Sequence, residues 1–351
     1  MRESRTSGSL EGRALRGVRL LDPLTNNGYY GEEEKIYMNQ EQKKTLRTID
    51  ETLLIPILED GRKLYHYTSA VGLQGICGGE FWVTERSFLN DIMEFQVATQ
   101  IFCEVIDKHM TNIERAEKIK KKICDEVERL SRPGMLGEDI AYSGDYVISF
   151  SLDNDSILMW SEYSDFYGYC MEFDGNELIK IFQNSDDYRF LHGQVVYDHN
   201  EQVKIVEKTL EMEIINYETG FEYLNSWDDL NNLTNEEIED LYIWIAMIIN
   251  AYNVFFKLEC FKGENEYRFV FMSIHDGGRI KESEREIQYF RIKNEVLIPF
   301  IKKKIPNLNS LKSVMIGPKN KSDIAEKGVR YFFRNMKLDV NVYKSKMPIR
   351  Y

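Results

Sequence analysis

Glu264 and Glu266 stand two residues apart, with Arg268 two further on, at the entrance to the run Tyr267 to Met272. That run is aromatic, β-branched and apolar, which predicts a strand. A strand repeats every two residues, so Glu264, Glu266 and Arg268 are expected on one face. Two carboxylates side by side repel each other. Such a pair persists where a cation neutralises it or where chemistry uses it. As chemistry, Glu266 would face a cleft and Glu264 would assist it. The plainer reading is a surface strand on which Arg268 or a lysine neutralises both acids.

Four other segments offer side chains to such a site. In Leu64-Tyr65-His66-Tyr67-Thr68, strand spacing puts His66 and Thr68 on one face, where imidazole and hydroxyl can hydrogen-bond a sugar or a nucleotide amide. Asn90 precedes Asp91; Asp91 reads as a helix N-cap, which leaves Asn90 to line a pocket. Ser149 and Ser151 share one strand face, with Ile148, Phe150 and Leu152 on the other. Trp160 and Tyr163, three apart, share a helix face and read either as core anchors or as a stacking wall for a base or nicotinamide ring. Gly168 then allows a close backbone approach before the next strand.

The elements that must position these residues follow from periodicity. Helices are predicted over Met38 to Ile57, Gly72 to Ile76, the stretch after an Asp91/Glu94 capping box, a charged stretch ending at Leu130, and a Thr234/Glu237-capped run to Cys260. Val296 to Lys304 also reads as helical. Strands are predicted at Leu64–Thr68, Phe81–Arg86, Asp145–Leu152, Tyr169–Phe173, Gln194–Tyr197, Arg285–Ile292, Ser313–Ile316 and Val340–Ser345. Helices and strands alternate irregularly without βα repeats, so the expected class is α+β. Residues 1–37 are rich in Arg, Gly and Ser and read as a flexible extension. Residues 38–351 read as a single α+β domain with helical insertions at about 92–131 and 234–260.

A net charge of −13 argues against a general duplex-DNA binder, which needs clustered cations, but allows a nucleic acid in a local basic groove. The five cysteines are widely spaced without a C-x-x-C pair. This predicts free thiols in a reducing cytoplasm, and the scattered histidines predict no metal site. The apolar stretch Leu241 to Phe256 is short for a bilayer and reads as a buried core helix, so no membrane is expected.

Taken in order, these pieces resemble the domain-of-unknown-function family numbered 2971. The matching stretches are Leu64 to Ser69, Gly72 to Ile76, Leu89 to Asp91, Ile148 to Ser151, Met159 to Tyr163, Gly168, Glu264 to Arg268, Val314 to Pro318 and Ser345 to Arg350. The likeness spans about residues 60–351 and departs at Ile92, where the family often has Pro. The family label implies no activity. A more distant likeness, to ADP-ribosyltransferases, implies one. An early His, a middle Ser-x-Ser strand and a late Glu-x-Glu resemble the layout of those enzymes, which clamp NAD in a split, bent β-sheet. By this resemblance His66 would hold a ribose hydroxyl with Thr68 beside it, and Ser149 and Ser151 would brace the catalytic carboxylate Glu266. Glu264 would orient the acceptor, Tyr163 or Trp160 would stack on nicotinamide, and Asn90 and Arg268 would complete the NAD site.

NAD would be a substrate, the acceptor a protein or a nucleic acid, and the setting that of a toxin or anti-phage effector. Glu266→Gln is then expected to slow turnover by at least about 100-fold with little effect on folding. A non-catalytic nucleotide- or nucleic-acid-sensing module is the alternative, and a metal-dependent nuclease or hydrolase a second.

Overall fold

The computed structural model describes residues 53–89, 93, 96–131, 145–183, 188–212, 226–273, 289–293 and 295–349. The predicted 1–37 extension, Asn90, and the Asp91/Glu94 capping box lie outside the described residues. In chain order the elements are β1 (Lys63–Thr68), α1 (Ala70–Cys77), β2 (Glu80–Glu85), α2 (Val97–His109), α3 (Ile113–Ser131), β3 (Tyr146–Ser151), α4 (Ile157–Ser164), β4 (Tyr169–Asp174), α5 (Gly175–Phe182), β5 (Tyr188–Gln194), α6 (His199–Leu210), α7 (Asn235–Tyr252), β6 (Glu266–Ser273), β7 (Tyr289–Lys293), β8 (Val296–Lys304), β9 (Leu311–Ile316), α8 (Asp323–Met336) and β10 (Asn341–Lys344).

The described strands join in one mixed sheet in the order β10-β9-β4-β1-β3-β2-β8-β7, with β6 paired to both β3 and β5. The α+β class is therefore as expected. The pairing changes along β3. One edge of β3 pairs with β6 throughout, from Tyr146↔Phe271 to Ser151↔Glu266. The other edge is divided. β1 meets it at Tyr65↔Ser151, whereas β2 meets it at Thr84↔Val147 and Glu85↔Tyr146. β1 and β2 thus part company alongside Ser149, and the sheet is split there.

Strand alternation sorts the core. Tyr146, Ile148 and Phe150 of β3 and Tyr267, Phe269 and Phe271 of β6 share an apolar face with Phe81, Phe173 and Phe182. On the opposite face Val147, Val270 and Met272 pack on α2, α3, α6 and α7. Further along that opposite face, Tyr67, Met159, Trp160 and Cys170 form a smaller cluster under α4. The helical layer is tied by polar links. The Thr234/Glu237 capping box opens α7 as predicted. At its other end Asn253 accepts the Ala98 N–H of α2 at 2.9 Å. Asn250 accepts from Arg86 at 2.8 Å. The two asparagines that interrupt the hydrophobic run are thus the ones that anchor it. Among the described residues no helix is long and apolar enough to cross a membrane.

Several predicted elements differ. Val296–Lys304 is a strand, paired on both sides with β2 and β7; Pro299 within it is incompatible with a helix interior. Leu53–Ile57 is not helical, as the residue before Pro56 disfavours the α conformation. The strand expected at Gln194–Tyr197 lies earlier, at Tyr188–Gln194, and Val196 makes only an isolated bridge to Phe256. The helix expected to reach Cys260 ends at Tyr252. Helices α5, α6 and α8 were not anticipated.

Candidate functional site

Glu264 does not belong to the strand. It closes a 3-10 turn, Glu259–Glu264, and Asn265 follows in the left-handed conformation at φ 45°, a conformation Asn tolerates better than most residues. β6 then starts at Glu266. The two carboxylates nevertheless converge, on a lysine the sequence reading overlooked. Lys257 Nζ lies 2.5 Å from Glu264 Oε2 and 3.4 Å from Glu266 Oε2. Arg268, on the same face of β6 as Glu266, gives that same Oε2 two bonds, from Nε at 3.0 Å and Nη2 at 2.6 Å. Its Nη1 holds the Val254 carbonyl at 2.7 Å. All four groups are buried: Lys257 is 4% exposed, Glu264 6%, Glu266 2% and Arg268 1%. The plainer reading is half right: Arg268 and a lysine do neutralise the acids, but in a sealed cluster and not on a surface strand. Arg268 is an internal partner of Glu266, not a side chain turned toward a ligand. The signal for Lys257 was legible, because it is the first charge after the uncharged stretch Leu241 to Phe256.

The middle-strand serines join this cluster. Ser149 lies on the same side of the sheet, opposite Arg268 in the β3–β6 register. The Ser151 hydroxyl donates to the Glu264 carbonyl at 2.8 Å and accepts the Asp153 N–H at 3.1 Å. Tyr163 on α4 donates its hydroxyl to Glu264 Oε1 at 3.3 Å, and Tyr197 accepts the Glu266 N–H at 3.0 Å. The pair is pushed apart in proton affinity. Burial and then the Glu266 charge raise Glu264, with Lys257 offsetting part of this. Burial alone would raise Glu266 too, but Arg268, Lys257 and the Ser149 hydroxyl outweigh it and hold Glu266 below the usual carboxylate range. One acid is kept ionised while its neighbour is the more basic, the division of labour that acid–base chemistry needs.

His66 does not share this face. Register pairs Tyr65, not His66, with Ser151, so the imidazole emerges on the aromatic side, 5.9 Å from the Phe81 ring and 5.6 Å from Phe150. It sits at the split: Nδ1–H donates to the Ser149 carbonyl at 3.1 Å. Burial pushes its pKa down to about 4, partly countered by the Ser149 bond and reinforced by the Arg291 charge, so the ring is neutral at pH 7 and presents Nε2 as an acceptor. Thr68 follows His66 onto that side and packs against Gly72, where any β-carbon would meet Thr68 Oγ1. The early-strand pair and the acidic pair are therefore separated by the sheet.

Trp160 is fully buried, edge-on to Tyr67 at 4.9 Å, with Nε1 donating to Asp155 at 2.7 Å. It is a core anchor with no ring face open to a base. Tyr163, half-buried, is the member of the aromatic pair that touches the acids. Gly168 is needed for close approach, since a β-carbon there would lie 2.3 Å from the Thr68 carbonyl. A second residue missed from sequence is Arg291 on β7. Its Nη2 donates to Thr84 on β2 at 2.8 Å, while its buried Nε has no hydrogen-bond partner. Among the described residues no group of three or more His, Cys, Asp or Glu side chains is placed to hold a metal ion.

The family described as a protein of unknown function, DUF2971, matches residues 159–269, so the resemblance to it holds over that segment. The match runs from the start of the Met159 to Tyr163 motif through Glu264, Glu266 and Arg268, and thus takes in most of the acidic cluster. No curated protein and no solved structure matches the chain.

Proposed function

We propose that this protein consumes NAD, transferring its ADP-ribosyl group to an acceptor or to water. The observation that supports the reading best is the buried Glu266 carboxylate, paired with Arg268 and Lys257 beside the split in the sheet. Breaking the nicotinamide–ribose bond releases neutral nicotinamide and leaves positive charge on the sugar, an oxocarbenium-like state. A carboxylate held ionised, bonded to a ribose hydroxyl, interacts more strongly with that state than with ground-state NAD, and only such a difference speeds the step. Glu266 takes that role. Glu264, the more basic acid, accepts the proton of the attacking nucleophile, and the Tyr163 hydroxyl orients it. With both acids buried, NAD enters only if α4 and Tyr163 move off Glu264. A cytoplasmic toxin or anti-phage effector is the cellular role that goes with this chemistry.

A second reading rests on a specific observation: Lys257 and Arg268 already neutralise both acids. On that reading the split sheet binds a nucleotide or nucleic acid without turning it over. Growth of cells expressing the protein separates the two. Catalysis predicts toxicity relieved by Glu266→Gln at equal soluble protein, whereas sensing predicts that the variant behaves as the wild type. Both readings predict that millimolar NAD or another nucleotide raises the unfolding midpoint. No shift with any nucleotide overturns both.

A further inference from the structure

We propose that Cys103 and Cys124 are a redox modification site, closing to a reversible disulfide in the presence of a peroxide and stapling α2 to α3. Cys103 lies on α2 and Cys124 on α3, and their sulfurs are 3.6 Å apart. The hairpin is fixed independently of the thiols. The Thr111 and Asn112 N–H groups in the turn between α2 and α3 both donate to Asn231 Oδ1, at 2.9 and 2.8 Å. Bond formation requires the sulfurs to close from 3.6 Å to about 2.0 Å. Both cysteines are half-buried, within reach of a small oxidant, whereas Cys77 and Cys170 are buried and Cys260 is exposed and distant in sequence.

The two thiols are not equivalent. The contact with Cys103 brings Cys124 down to about 7, against burial and the Asp125 charge and with help from Lys120; the same contact and burial push Cys103 up. Cys124 is the nucleophile by this criterion, since the thiolate is the reactive form. Its thiolate attacks one peroxide oxygen, the O–O bond breaks, and hydroxide leaves and is protonated to water. Cys103 then loses its proton and attacks the Cys124 sulfenic acid; the S–S bond forms and a second water leaves. Two thiols are oxidised by two electrons and one hydrogen peroxide is reduced to two waters. The staple rigidifies the layer in which α3 packs on α7, the helix that runs into the Lys257 segment.

The test uses the full chain carrying Cys260→Ser, reduced and then treated with hydrogen peroxide. The expected result is an intact mass lower by two hydrogens, a proteolytic peptide joining Cys103 to Cys124, and full reversal by dithiothreitol. The thermal midpoint should rise by roughly 5–10 °C. Cys103→Ser should stop at a sulfenic acid on Cys124 that dimedone captures, and Cys124→Ser should leave Cys103 unmodified under the same conditions. Oxygen addition without a cross-link, a cross-link between other cysteines, or unchanged thiols overturns the proposal.

Discussion

The two faces of β6 are equally shut off from solvent and are held by opposite physics. On one, Tyr267, Phe269 and Phe271 pack among Phe81, Phe150 and Phe182, where attraction is non-directional and a neighbour of similar volume can substitute. On the other, Glu266 and Arg268 face each other with Lys257 and Glu264. There each charge is tolerable only because the rest are present, and removing one leaves its partners buried and unpaired. The first face explains how the sheet holds together. The second costs desolvation that an apolar patch would avoid, which is why it is the place to look for function.

The sharpest way to break this contrast is Glu266→Gln. It should cost about 3–5 kcal/mol, because Arg268 and Lys257 lose their shared acceptor. Ile148→Leu in the apolar cluster should cost less than about 1.5 kcal/mol. Urea unfolding of the two variants checks the pair, and similar losses would erase the distinction between the faces. This also corrects the sequence-based expectation that Glu266→Gln leaves folding little affected.

The pH dependence sharpens the contrast at the split. His66 is held neutral with a pKa near 4, so between the unfolded value of about 6.5 and that value the unfolded chain binds more protons. The associated stability is complete above pH 6.5 and is lost as pH falls toward 4, an effect on the order of 3 kcal/mol. His192, also lowered by burial, adds to it with the same sign. Glu266, held below the usual range, keeps its contribution above that range and loses it only at still lower pH. Midpoints measured from pH 7 to pH 4 should fall less steeply in His66→Gln; an unchanged slope would contradict the neutral ring.

Smaller effects are expected where single hydrogen bonds support the acids. Ser151→Ala leaves the Glu264 carbonyl and the Asp153 N–H without their partner and should cost about 1–2 kcal/mol by denaturant titration. Tyr163→Phe, at a half-buried position with a 3.3 Å bond, should cost less than about 1 kcal/mol. A larger loss at Tyr163 than at Ser151 would reverse this ranking.

Much of this was legible in the residues. Strand alternation correctly grouped Ser149 with Ser151 and Glu266 with Arg268, because period two is a local property of each strand. It was silent on how strands face one another. His66 was expected beside Glu266, yet a register that aligns Tyr65 with Ser151 sends the imidazole to the other side of the sheet. Glu264 was assigned to the strand because alternation does not reveal the left-handed turn at Asn265. Lys257 was missed because its own segment carries no motif, although its partners Glu264 and Glu266 do, and Arg291 because its contact with Thr84 is made by tertiary packing. Val296–Lys304 was misread because its apolar run suits either period, and Pro299 was the deciding residue.

The most direct measurement is nicotinamide release from NAD by the purified protein, with protein, RNA and DNA acceptors supplied in turn. The wild type should release nicotinamide, and Glu266→Gln, assayed at a temperature where its circular dichroism matches the folded wild type, should be slower by at least about 100-fold. No release by the wild type under any of these conditions, or equal release by the folded variant, would contradict the assignment of Glu266 as the carboxylate that acts on NAD.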